Sequence, residues 1–558
     1  MMEVSEFVRT LLSKRGITEA HDIAEFLNPD YELHSHSPFL LQGMEAAVER
    51  LLAAIEKNER IAVYADFDCD GIPGAALLFD FFKKVGYENL EIYIPHRDRE
   101  GYGFHKEAIE ALAAKNISLI ITVDVGTNAI EAVRFAKEKG IDVIITDHHE
   151  ITGELPACVA LLNPKLGEYP FRELCGAAVA FKLAHAALIE GKKRNIEAFA
   201  KVQEGWEKWL LDLVAIATVA DLVPLVGENR VLAHFGLKVL RRTPRKGIVA
   251  LINRLRLRRS ELTEGEIAFS IAPRINAASR MGEPEFALRL LTTQSSDEAE
   301  QIAAHLEELN AERKSVVAAL VKQARKTVRD RFTKNDRVVV LGNPDWKPAL
   351  LGLAANSIME ERGGVVCMWG RDASGKLKGS CRSDGTLSVV EIFKGAKDSL
   401  VEYGGHEKSG GFTVSHEKVH TLHESLAAAA SGATEIASEN SAEHDENLSL
   451  SQVGESLFSE VSRLAPFGIG NPKPIFLLHP VSITSVRRFG KDSKHVEILV
   501  SCEKTGVPAR AFDFFRSPED FTHTPAERVS AKLLTTIERD TYRGGLALRL
   551  VDVLAPLS

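Results

Sequence analysis

Three short apolar runs in the first half of the chain stop abruptly at acidic or imidazole side chains. They are Ile61-Ala62-Val63-Tyr64-Ala65, ending on Asp66-Phe67-Asp68-Cys69-Asp70-Gly71; Ile120-Ile121-Thr122-Val123, ending on Asp124; and Val143-Ile144-Ile145-Thr146, ending on Asp147-His148-His149. Each run has the length and β-branched content of a strand, and a helical stretch follows the first two. Further strand-like runs cover Leu90 to Pro95 and Ala157 to Pro164. Alternating strand and helix from about residue 45 to 235 predicts a parallel sheet. Ligands gather beyond the carboxyl ends of such strands, so all three clusters are expected on one rim.

The period then lengthens. Ser295-Ser296-Asp297-Glu298 has capping-box spacing, and Ile302, Leu306, Leu309, Val316, Leu320 and Val328 fall on one stripe. This predicts a long connecting helix within 286–333, a spacer between two lobes. A second α/β pattern over 334–430 has Arg337 to Leu341 and Gly364 to Met368 as strands, with a helix near Leu350 to Glu361. It ends around Gly404-Gly405-His406 and Phe412-Thr413-Val414. Ala427 to Asn447, rich in Ala, Ser and Glu without an apolar period, reads as a mobile linker centred on 431–450. In 451–558 the runs Ser482 to Val486, Val496 to Val500 and Leu546 to Val553 are divided by Gly490-Lys491-Asp492 and Arg543-Gly544-Gly545. Short strands of this kind predict a small OB-like β-barrel.

At 558 residues the chain exceeds one core and suggests about three or four domains. No apolar stretch of about 18 residues occurs, so no membrane span is expected. The N-terminus carries acids rather than a signal-peptide core. Six cysteines are scattered without a C-x-x-C pair, which fits reduced thiols and a cytoplasmic protein. The net charge of -9 argues against a general nucleic-acid coat protein, yet binding follows the local field. Between Lys238 and Arg259 lie Arg241, Arg242, Arg245, Lys246, Arg254, Arg256 and Arg258 with no acid among them, a candidate nucleic-acid surface.

The acidic clusters carry the chemistry. Burying so many carboxylates together is costly unless cations neutralise them. Asp68 and Asp70, two apart, share a face if the chain is extended there. His148 and His149 are adjacent, so on a turn they point apart, and one can ligate metal while the other faces substrate phosphate. Asp221 lies inside the apolar run Ala215 to Leu225 and must be neutralised, paired or metal-bound. Carboxylate and imidazole ligands without thiolate suit Mn²⁺ or Mg²⁺. Two such ions about 4 Å apart can drive phosphodiester hydrolysis. His416-Glu417-Lys418-Val419-His420 satisfies the string H-E-x-x-H, but it opens a polar helix with Lys418 inside and no evident third ligand, so a metalloprotease is set aside.

At these residues the chain resembles the DHH phosphoesterase superfamily and, within it, the RecJ-type single-strand-specific exonucleases. The likeness extends to Pro95-His96-Arg97, Glu100-Gly101-Tyr102-Gly103, Cys175 to Ala180, Ala217 to Leu225 and Pro273 to Met281. It continues through Gly379-Ser380-Cys381-Arg382-Ser383, Gly404-Gly405-His406 and Ala465 to Pro472. The resemblance implies that Asp68, Asp70, Asp124, His148 and Asp221 hold two metals, with Asp124 bridging, and that Asp66 and His149 stand just outside or complete the shell. It implies phosphate-facing roles for Arg274, Asn276 and Arg280. Ser380 and Arg382 would hold a 5′-terminal phosphate with Arg97 beside them, and His406 would line the cleft.

The implied fold is α/β: a DHH-type parallel-sheet lobe (1–285, with the N-terminal segment and a basic helical extension) joined by a long helix to a second α/β lobe, plus the OB-like barrel. The implied activity is 5′→3′ hydrolysis of single-stranded DNA in repair and recombination, with a helicase and a single-strand-binding protein as partners. Two alternatives stay open. One is a DHH phosphodiesterase for short oligonucleotides or cyclic dinucleotides, and the other a non-catalytic single-strand-binding scaffold. The chain departs from the family at Ala65 and Ser279, where Gly is usual, at Pro73-Gly74, and in the segment after Trp346.

Overall fold

The computed structural model describes residues 4–333, 335–433, 444–490, 493–540 and 543–555. The chain forms two compact units: His36–Val223 with Phe235–Glu439, and Met1–Ser35 with Pro224–His234 and Asn440–Ser558.

The first unit contains two sheets. β1 (Ile61–Ala65), β2 (Leu90–Tyr93), β3 (Leu119–Val123), β4 (Asp142–Thr146) and β5 (Ala160–Leu162) are all parallel, in the order β2-β1-β3-β4-β5. Every residue of β1 and β3 is buried, as expected for central strands covered on both faces. The strand order reverses between β1 and β3, which opens a crevice beyond their carboxyl ends. Asp66 and Asp124 follow these two strands directly. Backbone bonds from Asp66 N to the Val123 carbonyl (3.1 Å) and from Asp124 N to the Thr146 carbonyl (2.9 Å) pin both acids to neighbouring strands.

The helix Ser296–Arg331 spans 36 residues, about 54 Å at 1.5 Å per residue. Ile302, Leu306 and Leu309 are buried in its first half, and Leu320, Val321 and Ala324 join the core of the second sheet. Only half of the expected capping box forms. The Ser295 hydroxyl accepts from Glu298 N, but the Glu298 carboxylate is taken by Arg289 and the Thr293 hydroxyl. The second sheet comprises β6 (Val338–Gly342), β7 (Val365–Arg371), β8 (Leu377–Ser383), β9 (Glu402–Gly405) and β10 (Ser409–Val414), ordered β6-β7-β8-β10-β9. His416 to His420 lie in turns after β10, not on a helix, so the H-E-x-x-H string presents no shared helical face.

The second unit is built on β11 (Glu446–Leu448), β12 (Phe476–Phe489), β13 (His495–Cys502), β14 (Pro508–Asp513), β15 (Ser530–Arg539) and β16 (Leu546–Leu554). Pairing of β12 with β15 closes β12-β13-β14-β16-β15 into a five-stranded barrel. The N-terminal segment, expected with the first lobe, belongs here instead. Val8, Leu11 and Leu12 form the apolar stripe of the helix Glu6–Ser13, and with Ile23 and Phe26 they share one core with barrel residues such as Phe476 and Leu533. The linker expectation also needs trimming. Ala427 to Ser431 complete the helix Leu422–Ser431, and Glu446–Leu448 is a strand, while 434–443, like Lys491 and Asp492, lie outside the described residues.

Candidate metal centre

The segment after β1 is a turn, not extended chain. The Asp68 carboxylate accepts from the backbone N–H groups of Asp70 (2.8 Å) and Gly71 (3.2 Å). Turning, rather than strand alternation, is therefore what brings Asp68 and Asp70 to one place. Cys69 N donates to Asn276 Oδ1 at 3.1 Å, so Asn276 steadies this turn. The Asp70 carboxylate accepts from Gly176 N (2.6 Å) and Ala177 N (2.8 Å) at the start of the helix Gly176–Lys193, where free N–H groups and the helix dipole favour an anion. A Cβ on Gly176 would lie 2.6 Å from the Asp124 Cβ, so only glycine lets the helix end approach. Asp124 itself has φ +60° and Leu222, just after Asp221, has φ +61°. Such backbone strain in non-glycine residues persists only where surrounding structure enforces it, and it clusters at functional sites.

Three groups of ligand atoms result, each with all members within 4.8 Å of one another: Asp66, Asp68 and Asp124; Asp70, His148 and Asp221; and Asp124, His148 and His149. Asp124 belongs to two of them. His148 Nε2 lies 3.2 Å from Asp124 Oδ1, 3.6 Å from Asp221 Oδ2 and 3.8 Å from Asp70 Oδ2. Among the described residues the buried Oδ1 atoms of Asp66 and Asp124 find no hydrogen-bond donor.

Burial and the charge of Asp68 push the Asp70 carboxyl up to about 6 against the pull of the two helix N–H groups. Burial, then the neighbouring carboxylates, also raises Asp66, Asp124 and Asp221 well above the usual range. Burial and the neighbouring His149 lower His148 to about 3, leaving it a neutral lone-pair donor. Burial also acts to lower His149, but its 2.7 Å bond to Asp147 and that carboxylate's charge prevail and raise it to about 9. Cys69 and Cys175 lie close by, but burial first and the carboxylates second keep both thiols protonated. Crowded oxygen donors, neutral imidazole, orphaned buried oxygens and no thiolate fit hard divalent cations of the Mn²⁺ or Mg²⁺ kind.

Beside the acids stands a cluster of arginines. Arg97 stacks on the Phe67 ring, 4.6 Å from its centroid. Arg280 donates to the Ala349 carbonyl (2.7 Å), and burial, then Arg97, Arg313 and Arg382, lowers it to about 9. Arg382 donates to the Cys381 carbonyl and is lowered by burial, with Arg97 adding to it. Ser380 and Arg382 alternate along β8 with the buried Cys381 and Ser383, so they share its other face. His406 begins the turn after β9, and His149 and Lys165 contribute to its lowered pKa after burial.

Arg274 is placed differently from its expected phosphate-facing role. It is buried and forms a two-point ion pair with Glu307 of the helix Ser296–Arg331 (2.8 and 3.3 Å), so its charge is already spent. The basic stretch is likewise divided. Arg245 is clamped between Asp80 and Asp212, Arg241 donates to the Leu262 carbonyl and Arg259 to that of Thr243. Arg242, Lys246, Arg254, Arg256 and Arg258 remain exposed.

Two contributors were not singled out from sequence. Asp147 accepts from Thr127 N, His148 N, His149 N and His149 Nδ1, and so orients both histidines; its only signal was being the first letter of the triplet. Tyr102 has its hydroxyl 3.2–3.3 Å from the ring nitrogens of His149. It had shown itself only as part of a family-like segment.

Family models match in the same order along the chain: the DHH family N-terminal domain over 60–218, the DHHA1 domain over 335–432 and the RecJ OB domain over 444–551. The single-stranded-DNA-specific exonuclease RecJ of Bacillus subtilis is 34% identical over 545 residues, 95% of this chain and 65% of that protein. The chain thus spans just under two thirds of that relative's length. RecJ of Haemophilus influenzae is 30% identical over 537 residues, covering 93% of this chain and 92% of its own. The crystal structure of RecJ from Thermus thermophilus with Mn²⁺ superposes with a TM-score of 0.81 at 27% identity, covering 100% of this chain and 76% of that one. Its Mg²⁺ complex gives 0.74 at 26% identity, with 100% and 75% covered. This chain belongs to the RecJ family of single-stranded-DNA-specific exonucleases, within the DHH superfamily.

Proposed function

We propose that this chain removes nucleotides from the 5′ end of single-stranded DNA by metal-dependent phosphodiester hydrolysis, in the cytoplasm, during repair and recombination. The observation that carries the reading is the rim of buried Asp66, Asp70 and Asp124 with half-buried Asp68, His148 and Asp221, in which the Oδ1 atoms of Asp66 and Asp124 find no hydrogen-bond donor among the described residues, beside Arg97, Arg280 and Arg382. The names of the relatives and the Mn²⁺ and Mg²⁺ of the Thermus structures support the same reading. Among the described residues no helix is long and apolar enough to cross a membrane.

Two groups of side chains would hold two ions, Asp66, Asp68 and Asp124 the first, and Asp70, His148 and Asp221 with Asp124 the second. When bound, such ions supply Lewis acidity at a phosphoryl oxygen and lower the pKa of an attacking water. The protein's own residues set the stage for that chemistry. Asp124, locked in a strained backbone conformation, reaches both groups. His149, protonated at neutral pH through Asp147, offers a hydrogen-bond donor to a non-bridging phosphate oxygen. Among the described residues Arg280 and Arg382 form no ion pair with a carboxylate, and they present planar forks suited to phosphate. Ser380 and Arg382 face a 5′-terminal phosphate, whose higher charge favours ends over internal diesters. Since the substrate is a single strand, a helicase and a single-strand-binding protein are the partner classes that would supply it.

Digestion of 5′- and 3′-labelled single strands, duplex and dinucleotides with Mn²⁺, Mg²⁺ or chelator tests this. The expected outcome is release of label from 5′-labelled single strands first, with duplex spared and chelator abolishing turnover. Preferential dinucleotide cleavage would move the chain to the small-substrate phosphodiesterases, and metal-independent release would overturn the site assignment.

A further inference from the structure

The segment between β2 and the helix Lys106–Ala113 is built of turns, yet it delivers two side chains to separate points of the site. Arg97 reaches the Phe67 ring on the turn after β1, 4.6 Å from its centroid. Tyr102 places its hydroxyl 3.2–3.3 Å from the ring nitrogens of His149 and 3.4 Å from the Asp124 carbonyl oxygen. Fixing a turn in one shape costs conformational entropy at every residue, so something must hold it.

Two stacked tyrosines supply the anchor. Tyr64 of β1 and Tyr93 of β2 are register partners, with ring centroids 5.4 Å apart and planes 9° apart. Their hydroxyls bond the segment on either side of Tyr102. Tyr64 donates to the Gly103 carbonyl (2.7 Å), and Tyr93 donates to Glu100 Oε1 (2.7 Å). The other Glu100 oxygen, Oε2, accepts from His96 N at 2.6 Å. The N–H groups of Arg99, Glu100 and Gly101 converge on the His96 carbonyl at 3.1, 2.8 and 3.4 Å, which closes residues 96–101 into one turn with Arg97 inside it. Gly101 and Gly103, at φ +82° and +133°, let the chain reverse around Tyr102 between the two anchors.

Both Glu100 oxygens are thus engaged, and among the described residues Glu100 belongs to none of the groups that could hold a metal ion. The tyrosine hydroxyls matter for the same reason. A phenylalanine pair would stack as well, but it would leave the segment without its anchors.

We infer that Glu100 is a positioning residue: tied to the Tyr64–Tyr93 pair, it holds Arg97 and Tyr102 in one geometry, so that Tyr102 steadies His149 while Arg97 stays beside the terminal phosphate. The inference rests on the exonuclease reading above. Reactivity is sensitive to such placement, since a shift of about 1 Å can cost on the order of 10²-fold in rate.

The test compares two substrates in Mn²⁺, a 5′-phosphorylated single strand and bis(p-nitrophenyl) phosphate, a diester small enough to reach the metals alone. Arg97→Ala should slow cleavage of the strand only, and Tyr102→Phe should slow both substrates. Glu100→Ala should reproduce both patterns at once, lowering kcat on the small diester by roughly tenfold, the worth of one hydrogen bond, and losing more on the strand. Tyr93→Phe should show the same pattern at smaller size, and Glu100→Gln, which keeps an acceptor oxygen, should fall between Glu100→Ala and wild type. In a Tyr102→Phe background Glu100→Ala should add little on the small diester, because the two act through one contact. Calorimetric titration of the Glu100 and Tyr93 variants should still give the wild-type number of Mn²⁺ equivalents. Wild-type kinetics in Glu100→Ala, losses that multiply with those of Tyr102→Phe, or a lost metal equivalent would overturn the positioning role. An equal loss on both substrates that tracks a fall in Tm would do so too. Failure of the wild-type protein to release 5′ nucleotides would instead overturn the exonuclease reading beneath it.

Discussion

Two ways of handling buried charge coexist in one unit of this protein. Arg245 sits between Asp80 and Asp212, within 2.9 Å of the latter, and its pKa is raised because the carboxylates outweigh burial. That cation is spent on the fold. At the rim the outcome is reversed. Burial first, then neighbouring carboxylates with Asp68 among them in every case, raises Asp66, Asp70, Asp124 and Asp221, while burial and other arginines lower Arg280 to about 9. An unpaired buried charge costs far more than a paired one, so evolution removes it unless a ligand brings the counter-charge. Acids raised together and arginines lowered together, side by side, are what the proposed binding of metal ions and a phosphodiester would draw on.

The contrast can be broken at its centre. Asp124→Asn removes the carboxylate shared by two ligand groups and should lower kcat on single-stranded DNA by on the order of 10³-fold. Its metal-free form should melt no lower than wild type, because a repelling charge has been deleted. A variant that keeps more than a tenth of wild-type kcat, in a clean preparation, contradicts the shared-ligand assignment. A smaller effect is expected at the arginines. Arg382→Ala should lower kcat/KM on 5′-phosphorylated strands by roughly 10- to 100-fold, the worth of a charge-assisted bidentate contact. A minimal diester that reaches only the metals should lose far less. Equal losses on both substrates would place Arg382 in structure rather than in end recognition.

How much of this could be read from the chain follows from how each feature is encoded. The acid rim is local: a buried strand followed by an acid is a contiguous signal, and parallel topology then brings such ends together. Asp68 and Asp70 were placed together for the wrong reason, since backbone N–H groups wrap the turn around Asp68. The ion pair of Arg274 could not be foreseen because its partner, Glu307, lies on a helix 33 residues away in sequence. The basic stretch from Lys238 to Arg259 was legible as a run but not residue by residue: an acid-free sequence says nothing about Asp80 and Asp212, which claim Arg245 from elsewhere, while Arg242, Lys246, Arg254, Arg256 and Arg258 stay exposed. The docking of Val8, Leu11 and Leu12 onto the barrel is non-local too. Amphipathic spacing shows that a stripe must be buried, not against what.

Metal binding itself is the most direct test. A carboxyl whose pKa folding has raised holds its proton more tightly folded than unfolded. Protonation therefore stabilises the metal-free protein, and this contribution is lost as pH rises from the ordinary value of about 4 through about 6 for Asp70. Cations compete with those protons, so affinity must rise over the same window. Isothermal titration of the metal-free protein with Mn²⁺ at pH 7.5 and pH 5.5, with melting at each pH, reads both effects. The account predicts two equivalents bound at pH 7.5, release of protons on binding, weaker binding at pH 5.5, and a larger Mn²⁺-induced rise in Tm at the higher pH. One equivalent or none at pH 7.5, or an affinity that does not change with pH, would contradict it.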